Sequence, residues 1–134
     1  MSADLYEVYI ETDGGYFFDA AAVERAVLTA LQAGGAPPPA ALTVVVTSAE
    51  EVQALNQKFA GLDYTTDVLT FPAEEEPYAT EPDEPPYLGD IAIAYPVAEA
   101  QAEEHGVTLI NELQRLAVHG TLHLLGYDHD VPER

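Results

Sequence analysis

The chain has 134 residues and a hydrophobic content of 48%, which is enough for one core and predicts a single domain over residues 1–134. It has no cysteine, which excludes disulfides, thiolate metal sites and thiol nucleophiles. It also lacks a secretory signal and any apolar run of about 20 residues, which predicts a cytoplasmic protein without a membrane partner. Its 24 acidic and 4 basic residues give a net charge of −20, and so few cations to neutralise phosphates argue against a nucleic-acid binder.

The first part of the chain predicts a strand, a helix and a second strand. Residues 5–12 alternate apolar and polar side chains, as a half-buried strand does, and a glycine-rich turn follows. Asp19 is a typical N-cap for the next helix, which Gly34 and Gly35 are expected to end. The β-branched run 42–47 then predicts a second strand.

A second helix and two further strands are predicted next. Ser48 and Glu51 form a capping box that opens a helix through about Phe59. Residues 67–71 and residues 88–95 are rich in apolar and β-branched side chains, and each run is followed by a proline. They predict the third and fourth strands.

The segment between these two strands, residues 73–86, is rich in glutamate, aspartate and proline. It holds too few apolar side chains to offset the entropy lost on ordering. We therefore expect a mobile insertion within the domain, which is either a solvated loop without function or an element that binds a partner.

Two helices complete the chain. The first begins near Pro96 and ends at His105, before a glycine that is typical of a helix C-terminus. The second is capped by Thr108 and carries a stripe of leucines as far as Gly126. Four strands and four helices without repeats predict an α+β fold, one sheet with helices packed on it, and a mixed α/β arrangement is the alternative.

Three of the four histidines, His119, His123 and His129, lie within eleven residues at the end of the last helix. Side chains four residues apart on a helix lie on one face, about 5–6 Å apart at Cβ, so His119 and His123 can bind the same ion. Gly126 allows the chain to turn back and bring His129 to that face. Three imidazoles leave one position of a tetrahedral zinc ion for water, so the spacing predicts a catalytic site with one zinc per chain.

The same spacing occurs in the HExxHxxGxxH metzincin peptidases, which are the natural rival. Those enzymes need a glutamate after the first histidine as general base, and this chain has Gly120, which cannot transfer a proton. A metzincin-like peptidase is therefore disfavoured. The fourth histidine, His105, precedes a helix-ending glycine, and interaction with the helix C-terminus accounts for it.

The segment from His119 to His129, HGTLHLLGYDH, resembles the HGxLHLxGYDH signature of the YbeY family of metal-dependent endoribonucleases. Other blocks of the family match upstream in the same order: Leu55-Asn56, Phe59, Asp63, Thr66-Asp67-Val68-Leu69, Phe71-Pro72 and Leu88-Gly89-Asp90-Ile91. The resemblance implies zinc at the three histidines and a mixed sheet with surrounding helices. It also implies single-stranded or ribosomal RNA as substrate, a role in ribosomal RNA maturation and ribosome quality control, and partners among small-subunit ribosomal proteins and assembly factors.

Three features depart from the family pattern. In the family pattern the residue after Phe59 is usually an arginine that acts at the active site, and this chain has Ala60 there. Lys58 differs from it in position and geometry and is not its equivalent. A usual proline is replaced by Thr65, and the chain stops at Arg134, where the family commonly continues into a helical tail.

Two further residues are candidates for the chemistry. Arg115 lies four residues before His119 and so on the same face, where its guanidinium would meet the negative charge that develops on the phosphate. An exposed ion pair with Glu112 is the alternative. Asp128 lies beside His129, where it either accepts a hydrogen bond from an imidazole ligand or closes the turn.

Two classes of function remain. The first is a zinc-dependent single-strand endoribonuclease, a hydrolase of phosphodiester bonds, which the open zinc position favours. The second is a ribosome-assembly or scaffold protein with structural zinc and little catalysis, which Ala60 and the charge of −20 favour. The acidic surface itself would attract divalent cations or a basic protein partner, and adaptation to salt would produce the same composition.

Overall fold

The computed structural model describes residues 6–62, 66–73 and 85–127. The elements are β1 (Tyr6–Thr12), α1 (Ala20–Ala33), β2 (Ala40–Thr47), α2 (Ala49–Ala60), β3 (Val68–Pro72), β4 (Tyr87–Ala94), α3 (Tyr95–His105) and α4 (Leu109–Leu124). The predicted α+β class and the predicted order of elements are confirmed. Most of the predicted mobile insertion, residues 74–84, lies outside the described residues.

The four strands form one mixed sheet in the order β1-β2-β4-β3. β1 pairs with β2 and β2 with β4 in parallel, whereas β3 pairs with β4 antiparallel. Parallel neighbours need a crossover connection, which α1 supplies between β1 and β2. The chain then passes through α2 and β3 before β4 returns beside β2, which leaves β3 at an edge of the sheet.

The two faces of the sheet bury different side chains, because successive residues of a strand point to opposite sides. On one face the larger core joins the strands to α1, α3 and α4; its fully buried members include Leu31, Leu42, Val44, Val46, Ile91, Ile93, Leu113 and Leu116. On the other face Ala92 and Ala94 pack against Val52 of α2. None of the helices in the described residues has the length and apolarity needed to cross a bilayer.

Three helices begin at the predicted N-caps. The side chains of Asp19, Ser48 and Thr108 each accept a hydrogen bond, at 3.1 Å, from the backbone N–H three residues later. These bonds satisfy one of the N–H groups that the first turn of a helix leaves without a partner. The last of them fixes where α4, the helix that carries His119 and His123, begins.

Several predicted boundaries were wrong by one or two residues. β2 begins at Ala40, because its parallel pairing with β1 extends to that residue. β3 includes Pro72, which pairs with Gly89 of β4. Because β3 is an edge strand, the N–H that proline lacks removes no hydrogen bond from the ladder. β4 ends at Ala94 and Tyr95 opens α3, since a proline in the first helical turn fits there without an N–H.

Candidate functional site

Two of the three predicted zinc ligands, His119 and His123, lie on the side of α4 that runs along the edge strand β3. His119 is half-buried and His123 is exposed. Nδ1 of His123 lies 2.7 Å from Oγ1 of Thr70 on β3. Arg115, two helical turns before His123 on α4, feels the negative charge of Asp67, which lies just before β3. The two imidazoles are therefore located at an open edge of the sheet.

Gly120 determines how closely α4 approaches the sheet. A Cβ at this position would lie 2.7 Å from Cγ2 of Ile91 on β4, well inside the separation of carbon atoms in contact. Position 120 thus points into the core. The glutamate that a metzincin carries after its first histidine has no room in this fold, which adds a steric reason to the chemical one against a peptidase.

The hydrogen bond between Thr70 and His123 orients this imidazole. The bond engages Nδ1, so Nε2 is the nitrogen through which His123 would bind an ion. In that state Nδ1 would keep its proton and donate a hydrogen bond to Oγ1 of Thr70. Support of the second ring nitrogen in this way is usual for metal-binding histidines.

Thr70→Val keeps the shape of the side chain and removes the hydroxyl, so we expect it to weaken zinc binding by about 10–100-fold. A competition titration against a chromophoric chelator measures this affinity. Thr43→Val makes the same chemical change at a threonine that bonds Tyr87 instead, and it should leave zinc affinity unchanged. Equal affinities in the two variants would show that the Thr70 bond does not support the site.

The chain turns back at the end of α4 as the glycine predicted. Gly126 has a φ of 98° and its N–H donates to the His123 carbonyl at 3.0 Å, while Tyr127 N–H donates to the Leu122 carbonyl at 3.0 Å. Together these two bonds form a Schellman motif. The Tyr127 hydroxyl then donates to the Gly34 carbonyl at 2.8 Å, which ties the turn to the end of α1.

His129 and Asp128 lie outside the described residues. Accordingly, the described part of the chain contains no group of three His, Cys, Asp or Glu side chains able to hold a metal ion. The two described histidines suit zinc, because imidazole nitrogen is a usual zinc ligand and because Thr70 supports the second ring nitrogen of His123. The three-histidine site and the role of Asp128 stay predictions.

Glu112 is a buried carboxylate beneath Arg115. Its side chain is 1% exposed and that of Arg115 is 52% exposed. Nη2 of Arg115 donates to Oε2 at 2.6 Å and Nε donates to Oε1 at 3.4 Å, while Nδ1 of His105 lies 3.8 Å from Oε1. The ion pair proposed from the sequence is therefore present, but its carboxylate is buried between α3 and α4 and not exposed.

This arrangement keeps Arg115 charged. The hydrogen bond to Glu112 raises the pKa of Arg115, burial acts in the opposite direction, and the charges of Glu112 and Asp67 raise it further. His105 lies in the last turn of α3, as expected, and also close to Glu112. The catalytic role of Arg115 stays a prediction.

A groove of about 990 Å³ lies on the α2 face of the sheet. Its lining combines apolar side chains with four carboxylates and, among the described lining residues, no cation; the carboxylates are Glu11, Asp13, Glu51 and Asp90. Ala60, the position at which the resemblance implies an arginine, lines this groove. Thr70 lines it as well, which brings the groove to the sheet edge beside His123.

Tyr87 belongs to the acidic part of this groove. Its hydroxyl donates to Asp90 and lies 2.6 Å from Oγ1 of Thr43. Burial and then the hydrogen bond to Asp90 raise the pKa of Tyr87 to about 12. The hydroxyl is therefore protonated at neutral pH and cannot serve as a general base there.

Two features of the site were not predicted from the sequence: the contact of Thr70 with His123 and the burial of Glu112. Thr70 carried no signal, because its partner His123 lies 53 residues away. The burial of Glu112 did have a signal: the residue lies three positions after Leu109 and four before Leu116, at the spacing of the leucine stripe.

Comparison with known proteins gives consistent matches. A family model described as Endoribonuclease YbeY matches residues 17–134. The Endoribonuclease YbeY of Chloroflexus aurantiacus is 41% identical over 128 residues, 94% of this chain and 83% of that protein. The protein of the same name from Roseiflexus castenholzii is 41% identical over 127 residues, 94% of this chain and 80% of that protein. The solution structure of TM1509 from Thermotoga maritima superposes with a TM-score of 0.57 at 28% identity, covering 94% of this chain and 77% of that one.

Proposed function

Because the chain belongs to the endoribonuclease YbeY family, we propose that it is a zinc-dependent endoribonuclease that cuts single-stranded RNA. We place this activity in the cytoplasm, in ribosomal RNA maturation and ribosome quality control. The observation that carries the proposal is the placement of His119 and His123 on one side of α4, at the sheet edge, with His123 bonded to Thr70.

In this proposal His119, His123 and His129 bind one zinc ion per chain. The absence of cysteine leaves histidine and carboxylates as ligands, and three imidazoles keep one position of a tetrahedral ion open. A zinc ion held by these residues would supply a Lewis acid for polarising a phosphoryl oxygen or activating a water molecule. Asp128 accepts a hydrogen bond from one of the imidazoles.

The side chains around the histidines orient the reactants. Thr70 holds the His123 ring with Nδ1 towards β3. Arg115, fixed by Glu112 and four residues before His119, keeps a positive charge on the same side of α4. A guanidinium in a fixed orientation attracts the phosphate and the charge that develops on it during cleavage.

The acidic surface opposes binding to bare RNA, so we propose that a basic partner brings the enzyme to its substrate. A small-subunit ribosomal protein or an assembly factor has the required chemistry. Ala60 stands where the resemblance implies an arginine, in a groove whose described lining residues include no cation. This favours a second candidate, a ribosome-assembly or scaffold protein with structural zinc and little catalysis. That candidate differs from the first in one measurable respect, which is the absence of cleavage.

The test is cleavage by the purified chain loaded with zinc. We expect internal cuts in a labelled single-stranded RNA, loss of cleavage after removal of the metal with a chelator, and recovery when zinc returns. Denaturing gels follow the RNA and elemental analysis follows the metal, with a duplex of the same sequence as control. Cleavage that survives complete metal removal would contradict zinc dependence, and a zinc-loaded chain that leaves the RNA intact would favour the scaffold.

A further inference from the structure

The described residues include three lysine or arginine side chains, each on a different helix. Arg25 lies on α1, Lys58 on α2 and Arg115 on α4, whereas Arg134 lies outside the described residues. Arg115 lines a cleft of about 440 Å³ between α1 and α4, together with Ala26, Thr29, Asn111, Gln114 and Val118. None of these six residues is acidic, in contrast to the groove on the α2 face with its four carboxylates.

The walls of this α1–α4 cleft present fixed donors and acceptors. Glu112 engages Nε and Nη2 of Arg115, so the other N–H donors of the half-exposed guanidinium point outwards. Nε2 of Gln114 donates to the Ala22 carbonyl at 3.0 Å, which ties α4 to α1. The amide of Asn111 and the hydroxyl of Thr29 are on exposed residues at the rim.

Arg25 adds a second positive charge on the α1 side. It is exposed and lies four residues before Thr29, so the two side chains share one face of α1. Arg115 lines the α1–α4 cleft, and Arg25 lies on the same face of α1 as Thr29, which also lines it. In a chain with a net charge of −20, this is a place where a polyanion meets attraction.

We propose that the α1–α4 cleft binds the phosphate backbone of single-stranded RNA next to the position of cleavage, with Arg115 and Arg25 as the phosphate contacts. This inference rests on the proposed function. Arg115 precedes His119 by four residues, about 6 Å along the helix axis, so a strand leading from the cleft to the histidines passes it. Glu112 acts as a positioning residue for Arg115.

Binding of a short fluorescent single-stranded RNA, measured by anisotropy in the presence of chelator, tests the cleft without cleavage. Arg25→Ala should weaken binding about tenfold at low salt, the loss of one charge-assisted contact. It should also lower the slope of log affinity against log salt by about 0.7. Thr29→Glu places a carboxylate in the cleft and should weaken binding at least as much.

Matched controls lie on α2, where Lys58 and Gln57 are exposed. Lys58→Ala and Gln57→Glu change the net charge by the same amounts and should keep affinity within about twofold, because charges distant from the strand are screened. Arg115→Ala would leave the buried Glu112 carboxylate beside His105 alone and should cost stability. The exposed positions Arg25 and Thr29 therefore carry the test.

Equal losses of RNA affinity in the α1 and α2 variants would overturn the proposal that the cleft binds RNA, since the net charge of the chain would then explain the binding. Unchanged binding in Arg25→Ala and Thr29→Glu would overturn it too, as would no binding by the natural chain at low salt. The nuclease proposal can fail separately. Binding with the expected pattern and no cleavage by the zinc-loaded chain would retain the cleft and reject the nuclease.

Discussion

Replacing either His119 or His123 by alanine is expected to lower zinc affinity by more than about 100-fold and to abolish RNA cleavage. Loss of a supporting bond to a metal ligand already costs about 10–100-fold, and removal of the ligand itself costs more. Neither side chain belongs to the buried core, so the variants should fold like the natural chain. Elemental analysis after a chelator wash measures the retained zinc, and far-UV circular dichroism checks the fold.

His105→Ala is the matched control for this prediction. It removes an imidazole that lies near Glu112, on α3. This variant should retain zinc, whereas His129→Ala should lose it as the two α4 variants do. Full zinc retention in His119→Ala, His123→Ala or His129→Ala would rule out that residue as a ligand.

Gly120→Ala is expected to destabilise the fold, and Gly120→Glu is expected to prevent folding. The added Cβ would lie 2.7 Å from Ile91 Cγ2 on the buried face of α4, and overpacking of this kind costs about 1–3 kcal/mol. The better helix propensity of alanine, about 1 kcal/mol, offsets only part of that cost. A glutamate would also bury a carboxylate, so this change should not create a peptidase.

Urea denaturation of the alanine variant and a double-mutant cycle test this explanation. In an Ile91→Ala background the added methyl group has space, so the cost of Gly120→Ala should fall to about zero or become a gain of up to about 1 kcal/mol. The same cost in both backgrounds would show that crowding against Ile91 is not the cause. Close packing of α4 against Ile91 would then not explain why position 120 is a glycine.

Features that depend on residues near one another in the chain were predicted correctly. The N-caps Asp19, Ser48 and Thr108 bond to N–H groups three residues later. Gly126 ends its helix because a positive φ is easy for glycine alone. Among the boundaries that were wrong, those at Ala40 and Pro72 depend on strand pairing and the one at Tyr95 depends on where the next helix begins.

The sequence by itself determined the α+β class, the order of strands and helices, and the placement of His119 and His123 on one side of a helix, because alternation, capping and helical spacing are local. Only the tertiary structure decided that Thr70 supports His123 across 53 residues and that Gly120 is packed against Ile91. The tertiary structure likewise separated a groove with four carboxylates on the α2 face from a cleft between α1 and α4 that Arg115 lines and no described carboxylate does. These features depend on which elements pack together, and long-range packing leaves no periodic trace in the sequence.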